Sequence, residues 1–153
     1  MKTITTHLTQ SVKRWATDCS TFASDQPMSI LIVDDEESIR RYVERVLSEA
    51  GYRTTIAVDG ADAIAATARG GRFDLLLTDV VMPEMTGAEL ALRLRQDNPD
   101  IKVLYLTGHS DWLFAEKIVL RDDEAFLEKP CTIVGLLQAV SLAITGAVEQ
   151  DVA

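Results

Sequence analysis

Cysteine is scarce in this sequence, because Cys19 and Cys131 are the only two and they lie far apart. That number and spacing exclude a disulfide scaffold and a zinc site as expected features. Long apolar runs are also missing, and none approaches the roughly 18 residues of a membrane span. The N-terminus lacks the apolar stretch of a secretory signal peptide. These absences predict a soluble, cytoplasmic protein.

Basic residues are few as well. The chain has 15 Lys and Arg against 24 Asp and Glu, a formal net charge of −9 at pH 7. Phosphate backbones and anionic membranes are bound by clustered Lys and Arg, so neither nucleic acid nor a membrane is an expected partner. With 153 residues, 47% of them hydrophobic, the chain is long enough for about one domain with a real core.

The first 28 residues differ from the rest in composition. They are rich in Thr and Ser, and only Leu8, Val12 and Trp15 follow a helical spacing. We therefore predict an N-terminal extension over 1–28 that is partly helical or flexible, one folded domain over 29–148 and a tail over 149–153. Residues 147–153 are too few to form a DNA-binding output domain, so we expect a protein with a single folded domain.

Beyond residue 28, strand-like and helix-like segments alternate along the chain. Short apolar runs such as SILIV and DLLLT predict buried strands. Segments with apolar residues three and four positions apart predict helices. The predicted strands cover 29–33, 52–57, 74–78, 101–106 and 125–128, and the predicted helices cover 37–50, 60–68, 86–96, 111–120 and 132–147. This order predicts an α/β domain whose parallel sheet is covered by helices on both faces.

Charged and polar residues follow four of the predicted strands. Asp34 and Asp35 follow the first, Asp79 the third, Thr107 the fourth and Lys129 the fifth. The carboxyl ends of parallel strands meet at one edge, where ligands bind. Three carboxylates there repel one another unless a cation neutralises them, and oxygen ligands suit Mg²⁺. A lysine and a hydroxyl beside them favour a phosphoryl group transferred to an aspartate.

Four segments carry a family resemblance. ILIVDDEESIRR, DLLLTDVVMPEMTGAEL, VLYLTGHSD and AFLEKP resemble, in order and spacing, the blocks of the response-regulator receiver domain, the CheY-like phosphoacceptor module of two-component signalling. The resemblance covers residues 29–146. It implies a flavodoxin-like (βα)5 three-layer sandwich with a parallel sheet in the order 2-1-3-4-5.

The resemblance also implies an acceptor and a metal site. Asp79 corresponds to the phosphorylated residue, and Asp34 and Asp35 would hold Mg²⁺ together with Asp79. The main-chain carbonyl of Val81 would be the remaining protein ligand of the metal.

Three further residues receive roles from the same resemblance. Thr107 would bond a phosphoryl oxygen and move toward it on activation, and Lys129 would pair with the phosphoryl group. Phe126 matches an aromatic residue that changes rotamer when the threonine moves, although plain core filling explains it equally well. The Lys129–Pro130 peptide is a candidate cis bond.

The expected function is a response regulator that accepts a phosphoryl group and switches protein contacts in a phosphorelay, and not an enzyme acting on a separate substrate. The resemblance implies a sensor histidine kinase or a histidine phosphotransfer protein as donor, and a protein as downstream target. A homodimer through the fourth helix, the fifth strand and the fifth helix is a further expectation.

Alternatives stay open at this point. A phosphatase of the haloacid dehalogenase type needs a general acid two residues after its nucleophile and usually a cap domain, whereas this chain has the run DDEE. A pseudo-receiver would keep the fold without phosphorylation, but such proteins typically lose a site residue. The N-terminal segment favours a stand-alone regulator, and the VLYLTGHSD block favours the receiver piece of a hybrid kinase.

Overall fold

In the computed structural model, residues 26–108 and 123–145 are described. The strands are β1 (Ser29–Val33), β2 (Arg53–Ala57), β3 (Leu75–Asp79), β4 (Lys102–Thr107) and β5 (Glu124–Glu128). The helices are α1 (Glu37–Glu49), α2 (Gly60–Ala68), α3 (Gly87–Asp97) and α4 (Ile133–Thr145). The helix predicted at 111–120, most of the extension predicted at 1–28 and the tail predicted at 149–153 lie outside the described residues.

The five strands form one parallel sheet in the order β2-β1-β3-β4-β5. In the middle of the sheet, Leu31 lies opposite Thr55 on β2 and opposite Leu76 on β3. All five strands run in the same direction, so their carboxyl ends lie at one edge of the sheet. The predicted flavodoxin-like fold and strand order are confirmed.

Both faces of the sheet are buried under helices. On one face α2 and α3 pack over Leu76, Val103 and Tyr105, and on the other α1 and α4 pack over Leu77 and Leu104. Because successive side chains of a strand point to opposite faces, a strand covered on both sides needs apolar residues at nearly every position. That requirement explains the unbroken apolar runs in the sequence.

Two strands lie one residue later than predicted. The prediction ended the third strand at residue 78 and the fourth at 106, but Asp79 pairs with Leu106 in the ladder and Thr107 pairs with Glu128. Asp74, predicted as the first residue of the third strand, instead accepts a hydrogen bond at its side chain from Ser29 N at 2.8 Å. Asp79 and Thr107 are therefore the last residues of their strands, held by the sheet itself.

Local capping explains where two helices begin. Thr86 Oγ1 accepts a hydrogen bond from Glu89 N, and the Glu89 carboxylate accepts one from Thr86 N, which is a complete capping box at the start of α3. Thr132 Oγ1 accepts a hydrogen bond from Gly135 N at the start of α4. Within the described ranges, no helix has both the length and the apolar character needed to cross a bilayer.

Candidate functional site

Side chains from four strand ends meet at the carboxyl edge of the sheet. Asp34 directly follows β1, Asp79 ends β3, Thr107 ends β4 and Lys129 directly follows β5. Asp34 is 0%, Asp79 6% and Thr107 2% exposed. Buried polar residues are uncommon unless they have partners or a ligand. Their position at one edge agrees with the predicted convergence.

Three carboxylates form the centre of this edge. One oxygen each of Asp34, Asp35 and Asp79 lies within 4.8 Å of the others. Asp35 is exposed and its two neighbours are buried, so the cluster opens to solvent on one side. Carboxylates at this separation repel one another strongly at low effective dielectric. The donor set fits a hard divalent cation that keeps part of its water shell, as Mg²⁺ does.

Lys129 provides the positive charge among the described side chains at this cluster. Its Nζ lies 2.8 Å from Asp34 Oδ2 and 3.5 Å from Asp79 Oδ2. Burial lowers the pKa of the Lys129 ammonium, but its hydrogen bond to Asp34 and the charges of Asp34 and Asp79 outweigh that effect and raise the pKa above its ordinary value. The Lys129–Pro130 peptide is cis, as the resemblance implies.

The backbone at Asp34 is held by contacts that sequence reasoning missed. Arg40, in the first turns of α1, donates from Nη1 to the main-chain oxygen of Asp34 at 2.6 Å. Glu36 N donates to Asp34 Oδ1 at 2.9 Å. These contacts orient the Asp34 carboxylate toward the cluster. Arg40 belongs to the quoted segment ILIVDDEESIRR, but helical spacing alone gives no sign that its side chain bonds the strand end.

The loop after β3 depends on a glycine that sequence reasoning did not single out. A Cβ on Gly87 would lie 2.2 Å from the main-chain oxygen of Asp79, far inside any real contact. Gly87 N also donates to Val80 O at 2.9 Å. Only glycine lets α3 begin this close to the acidic residue. Val81, the predicted carbonyl ligand, lies in this loop with its side chain 43% exposed.

Thr107 and Phe126 lie on the neighbouring strands β4 and β5, but their surroundings differ. Thr107 Oγ1 is buried and has no hydrogen-bond partner among the residues described. Phe126 is partly buried, and its ring lies on that of Tyr105, with 5.4 Å between centroids and an interplanar angle of 39°. The roles predicted for both residues stay predictions.

The fold and the strand order agree with the receiver resemblance of the sequence. The sequence model described as "Response regulator receiver domain" matches residues 30–141. This chain belongs to the response regulator receiver domain family of two-component signalling.

Relatives of this chain differ greatly in length. Response regulator receiver protein CpdR of Brucella abortus (strain 2308) is 34% identical over 118 residues, which make up 77% of this chain and 98% of CpdR. Sensor kinase CckA of the same organism is 35% identical over 126 residues, which make up 82% of this chain and 13% of the kinase. A solved response regulator receiver protein from Sinorhizobium medicae WSM419 has a TM-score of 0.69 and 31% identity, covering 80% of this chain and 98% of that one.

Proposed function

We propose that this chain is a phosphoacceptor switch in which Asp79 receives a phosphoryl group with Mg²⁺ bound. The observation that carries the proposal is the cluster of Asp34, Asp35 and Asp79 within 4.8 Å, together with the contacts of Lys129 Nζ to two of these carboxylates. This combination suits charge-stabilised phosphoryl transfer to a carboxylate. Membership in the receiver family disfavours the haloacid dehalogenase alternative.

The transfer step uses the Asp79 carboxylate as nucleophile. One of its oxygens attacks the phosphorus of a phosphohistidine, the P–N bond breaks, and the electron pair stays on the imidazole, which takes up a proton. When bound, Mg²⁺ supplies positive charge against the phosphoryl oxygens. Lys129 pairs with the phosphoryl group in exchange for its contact with Asp34, and Thr107 donates its buried hydroxyl to another phosphoryl oxygen. Asp34, Asp35, Asp79 and the Val81 carbonyl would hold the metal.

Intact mass spectrometry after incubation with acetyl phosphate and Mg²⁺ tests the acceptor. In that reaction the P–O bond to the acetyl group breaks and acetate leaves. We expect one phosphoryl group on the wild-type chain and none on Asp79→Asn. Asp100→Asn is the matched control, because Asp100 is an exposed aspartate outside the cluster, and it should be modified like wild type. If the folded wild-type chain takes up no phosphoryl group, the proposal is contradicted and the pseudo-receiver interpretation remains.

The donor and the target are proposals as well. Similarity to a sensor kinase and to a whole-length receiver protein supports a histidine kinase or a histidine phosphotransfer protein as donor, and a protein as target. We propose that the chain acts in the cytoplasm. A labelled phosphoryl group carried by a histidine phosphotransfer domain should be transferred to the wild-type chain and not to Asp79→Asn. Labelling by acetyl phosphate but by no histidine donor would contradict this part.

Whether the chain works alone or within a longer kinase is a separate question. Near-complete coverage of CpdR supports a single-domain regulator, and the match to a small part of CckA supports a piece of a hybrid kinase. The dimer face predicted from the sequence includes residues outside those described. Sedimentation of the chain with and without acetyl phosphate tests dimerisation, because a phosphorylation-driven dimer should nearly double the apparent mass.

A further inference from the structure

A buried ion pair joins α3 to the beginning of β5, away from the acidic cluster. Arg95 Nη1 lies 2.6 Å from Glu124 Oε1, and Arg95 Nη2 lies 3.2 Å from Asp123 Oδ1. The Arg95 and Glu124 side chains are only 9% and 6% exposed. No part of the proposed phosphoryl transfer uses these residues.

The ion pair extends to the aromatic pair of the sheet. The carboxylate oxygen Glu124 Oε1 that contacts Arg95 also accepts a hydrogen bond from Tyr105 Oη at 3.4 Å. Tyr105 is 1% exposed, and its ring contacts that of Phe126. Tyr105 and Phe126 are direct partners in the β4–β5 ladder, so the two rings lie on the same face of the sheet.

This series of contacts ends close to the proposed switch. Side chains two residues apart on a strand share a face, so Thr107 lies on the same face of β4 as Tyr105. In the arrangement described, Thr107 Oγ1 has no hydrogen-bond partner among the described residues, and Lys129 pairs with Asp34. Lys129 is therefore paired with a carboxylate of the cluster, the arrangement expected before it engages a phosphoryl group.

We propose that Arg95, Glu124 and Tyr105, here called the Arg95 clamp, position the Phe126 ring and stabilise the arrangement in which Thr107 is not engaged. The clamp would oppose the response of the domain to phosphorylation and so set its sensitivity. Its members are positioning residues, because none touches the reacting atoms. The inference rests on the proposed function, since it concerns the response to a phosphoryl group at Asp79.

Burial distinguishes this ion pair from the two exposed pairs described on α1. Arg41–Glu37 and Arg45–Glu49 on α1 have side chains 63% to 81% exposed, and such pairs contribute little. Among the described residues, Nη1 is the one guanidinium nitrogen of Arg95 that has a hydrogen-bond partner. The Arg95–Glu124 contact is therefore costly to lose, because an unpaired buried charge is strongly unfavourable. It therefore favours a single arrangement of the residues around it, and here those residues include Tyr105 and, through it, Phe126.

A titration with beryllofluoride in the presence of Mg²⁺ tests the clamp, because this anion mimics a phosphoryl group on a carboxylate. Bound beryllofluoride is measured by ¹⁹F NMR for wild type, Glu124→Gln and Tyr105→Phe. A ligand that binds a minor arrangement gains apparent affinity when that arrangement becomes more populated, and we expect Glu124→Gln to lower the apparent Kd by about threefold or more. Tyr105→Phe removes only the hydroxyl, so we expect a smaller decrease in Kd.

Glu49→Gln is the matched control. It removes one carboxylate from the exposed Arg45–Glu49 pair, and its Kd should equal that of wild type. A purely structural ion pair would predict the opposite sign for Glu124→Gln, since a less stable fold does not bind the anion more tightly.

The possible results separate the two proposals. If wild type binds beryllofluoride and Glu124→Gln binds it equally or more weakly, the clamp is wrong and the proposed function stands. If Glu124→Gln fails to fold, Tyr105→Phe decides alone, and an unchanged Kd for it overturns the clamp. If folded wild type does not bind the anion and takes no phosphoryl group from acetyl phosphate, both proposals are overturned.

Discussion

Asp34 is a completely buried charge at the proposed site, and its two oxygens have different partners. Oδ1 accepts a bond from Glu36 N, and Oδ2 contacts Lys129 Nζ at 2.8 Å. Asp35, the next residue, is exposed. The two neighbouring aspartates therefore have unequal tasks: Asp34 is part of the folded framework, while Asp35 adds negative charge at the open side of the cluster.

Asp35→Asn is expected to separate these tasks. Without Mg²⁺ the variant should be slightly more stable than wild type, by less than about 1 kcal/mol, because an exposed charge interacts mostly through water. The stabilisation that Mg²⁺ gives to the folded state, which follows RT ln(1 + [Mg²⁺]/Kd), should shrink. Urea unfolding with and without Mg²⁺ measures both effects, with Asp100→Asn as control. Undiminished stabilisation by Mg²⁺ in Asp35→Asn would show that Asp35 is not a ligand.

Cys131 gives the protein a sensitivity to alkaline pH. Burial raises the pKa of its thiol, and a backbone hydrogen bond and the charge of Lys129 offset only part of that increase. The folded chain therefore keeps this proton at pH values where the unfolded chain has lost it. The contribution of the thiol to stability is fully present below its pKa in the unfolded chain, about 8.5. That contribution is lost as the pH rises through the higher pKa of the folded chain.

Cys131→Ala should remove this part of the alkaline decline. We expect its free energy of unfolding to fall less steeply than that of wild type above about pH 8.5, the ordinary thiol pKa. Burial also raises the pKa of Tyr42, with the charge of Cys131 adding to the shift, so some alkaline decline should persist in the variant. Urea unfolding between about pH 7 and pH 10, the range in which thiol and phenol groups ordinarily titrate, measures how steeply the free energy of unfolding falls with pH in each protein. Equal slopes for the two proteins would contradict the prediction.

At the scale of elements, the approach of α3 to β3 determines the shape of the proposed active edge. The first helical residue, Gly87, lies directly against the Asp79 carbonyl, and the Thr86–Glu89 capping box fixes where the helix starts. The loop between β3 and α3 contains Glu84 at a φ of 68°, a left-handed conformation that is uncommon for residues other than glycine. The position of the Val81 carbonyl thus depends on how closely these two elements pack.

Gly87→Ala is expected to damage both stability and phosphoryl acceptance. The added methyl group cannot fit beside the Asp79 oxygen, so the loop or the helix must shift, at a cost of about 1–3 kcal/mol. Gly135→Ala in α4 is the matched control, because its Cβ meets only the Thr132 hydroxyl at 3.0 Å. Urea unfolding and the acetyl phosphate reaction followed by intact mass measure the two effects. Wild-type rates of modification for Gly87→Ala would show that the loop position is not critical.

At the scale of the whole molecule, one sheet separates two hydrophobic clusters of comparable size. Alternate residues of β4 pack in different clusters. Val103 and Tyr105 belong to one cluster, and Leu104 and Leu106 belong to the other. A change in one strand therefore reaches both layers of helices. Thr107 is the last residue of this strand.

Leu104→Ala should destabilise the whole domain. Leu104 is 0% exposed, and truncating a fully buried leucine costs about 2–5 kcal/mol. Leu92→Ala, at a residue 52% exposed on α3, should change stability by less than about 1 kcal/mol, because most of that side chain is already in water. Urea unfolding compares the two variants. Equal losses would contradict the assignment of Leu104 to the core.

Much of this architecture was readable from the sequence. The unbroken apolar runs predicted buried parallel strands, and the residues after them, Asp34, Asp79 and Lys129 among them, were predicted to converge, because parallel strands place their carboxyl ends together. The third and fourth strands were predicted to end one residue too early, because Asp79 and Thr107 are still paired in the sheet. Pairing with a neighbouring strand, and not local composition, decides where a ladder stops.

What the sequence alone determined was therefore the order of elements, the strand order implied by the receiver resemblance, and the set of acidic and basic residues at one edge. Only the tertiary structure decided which distant side chains touch: Arg40 on the Asp34 carbonyl, Gly87 against Asp79, and Arg95 on Glu124. The physical reason is that periodicity and propensity are local, whereas these contacts depend on how closely a helix packs on the sheet, which is set by all the side chains between them.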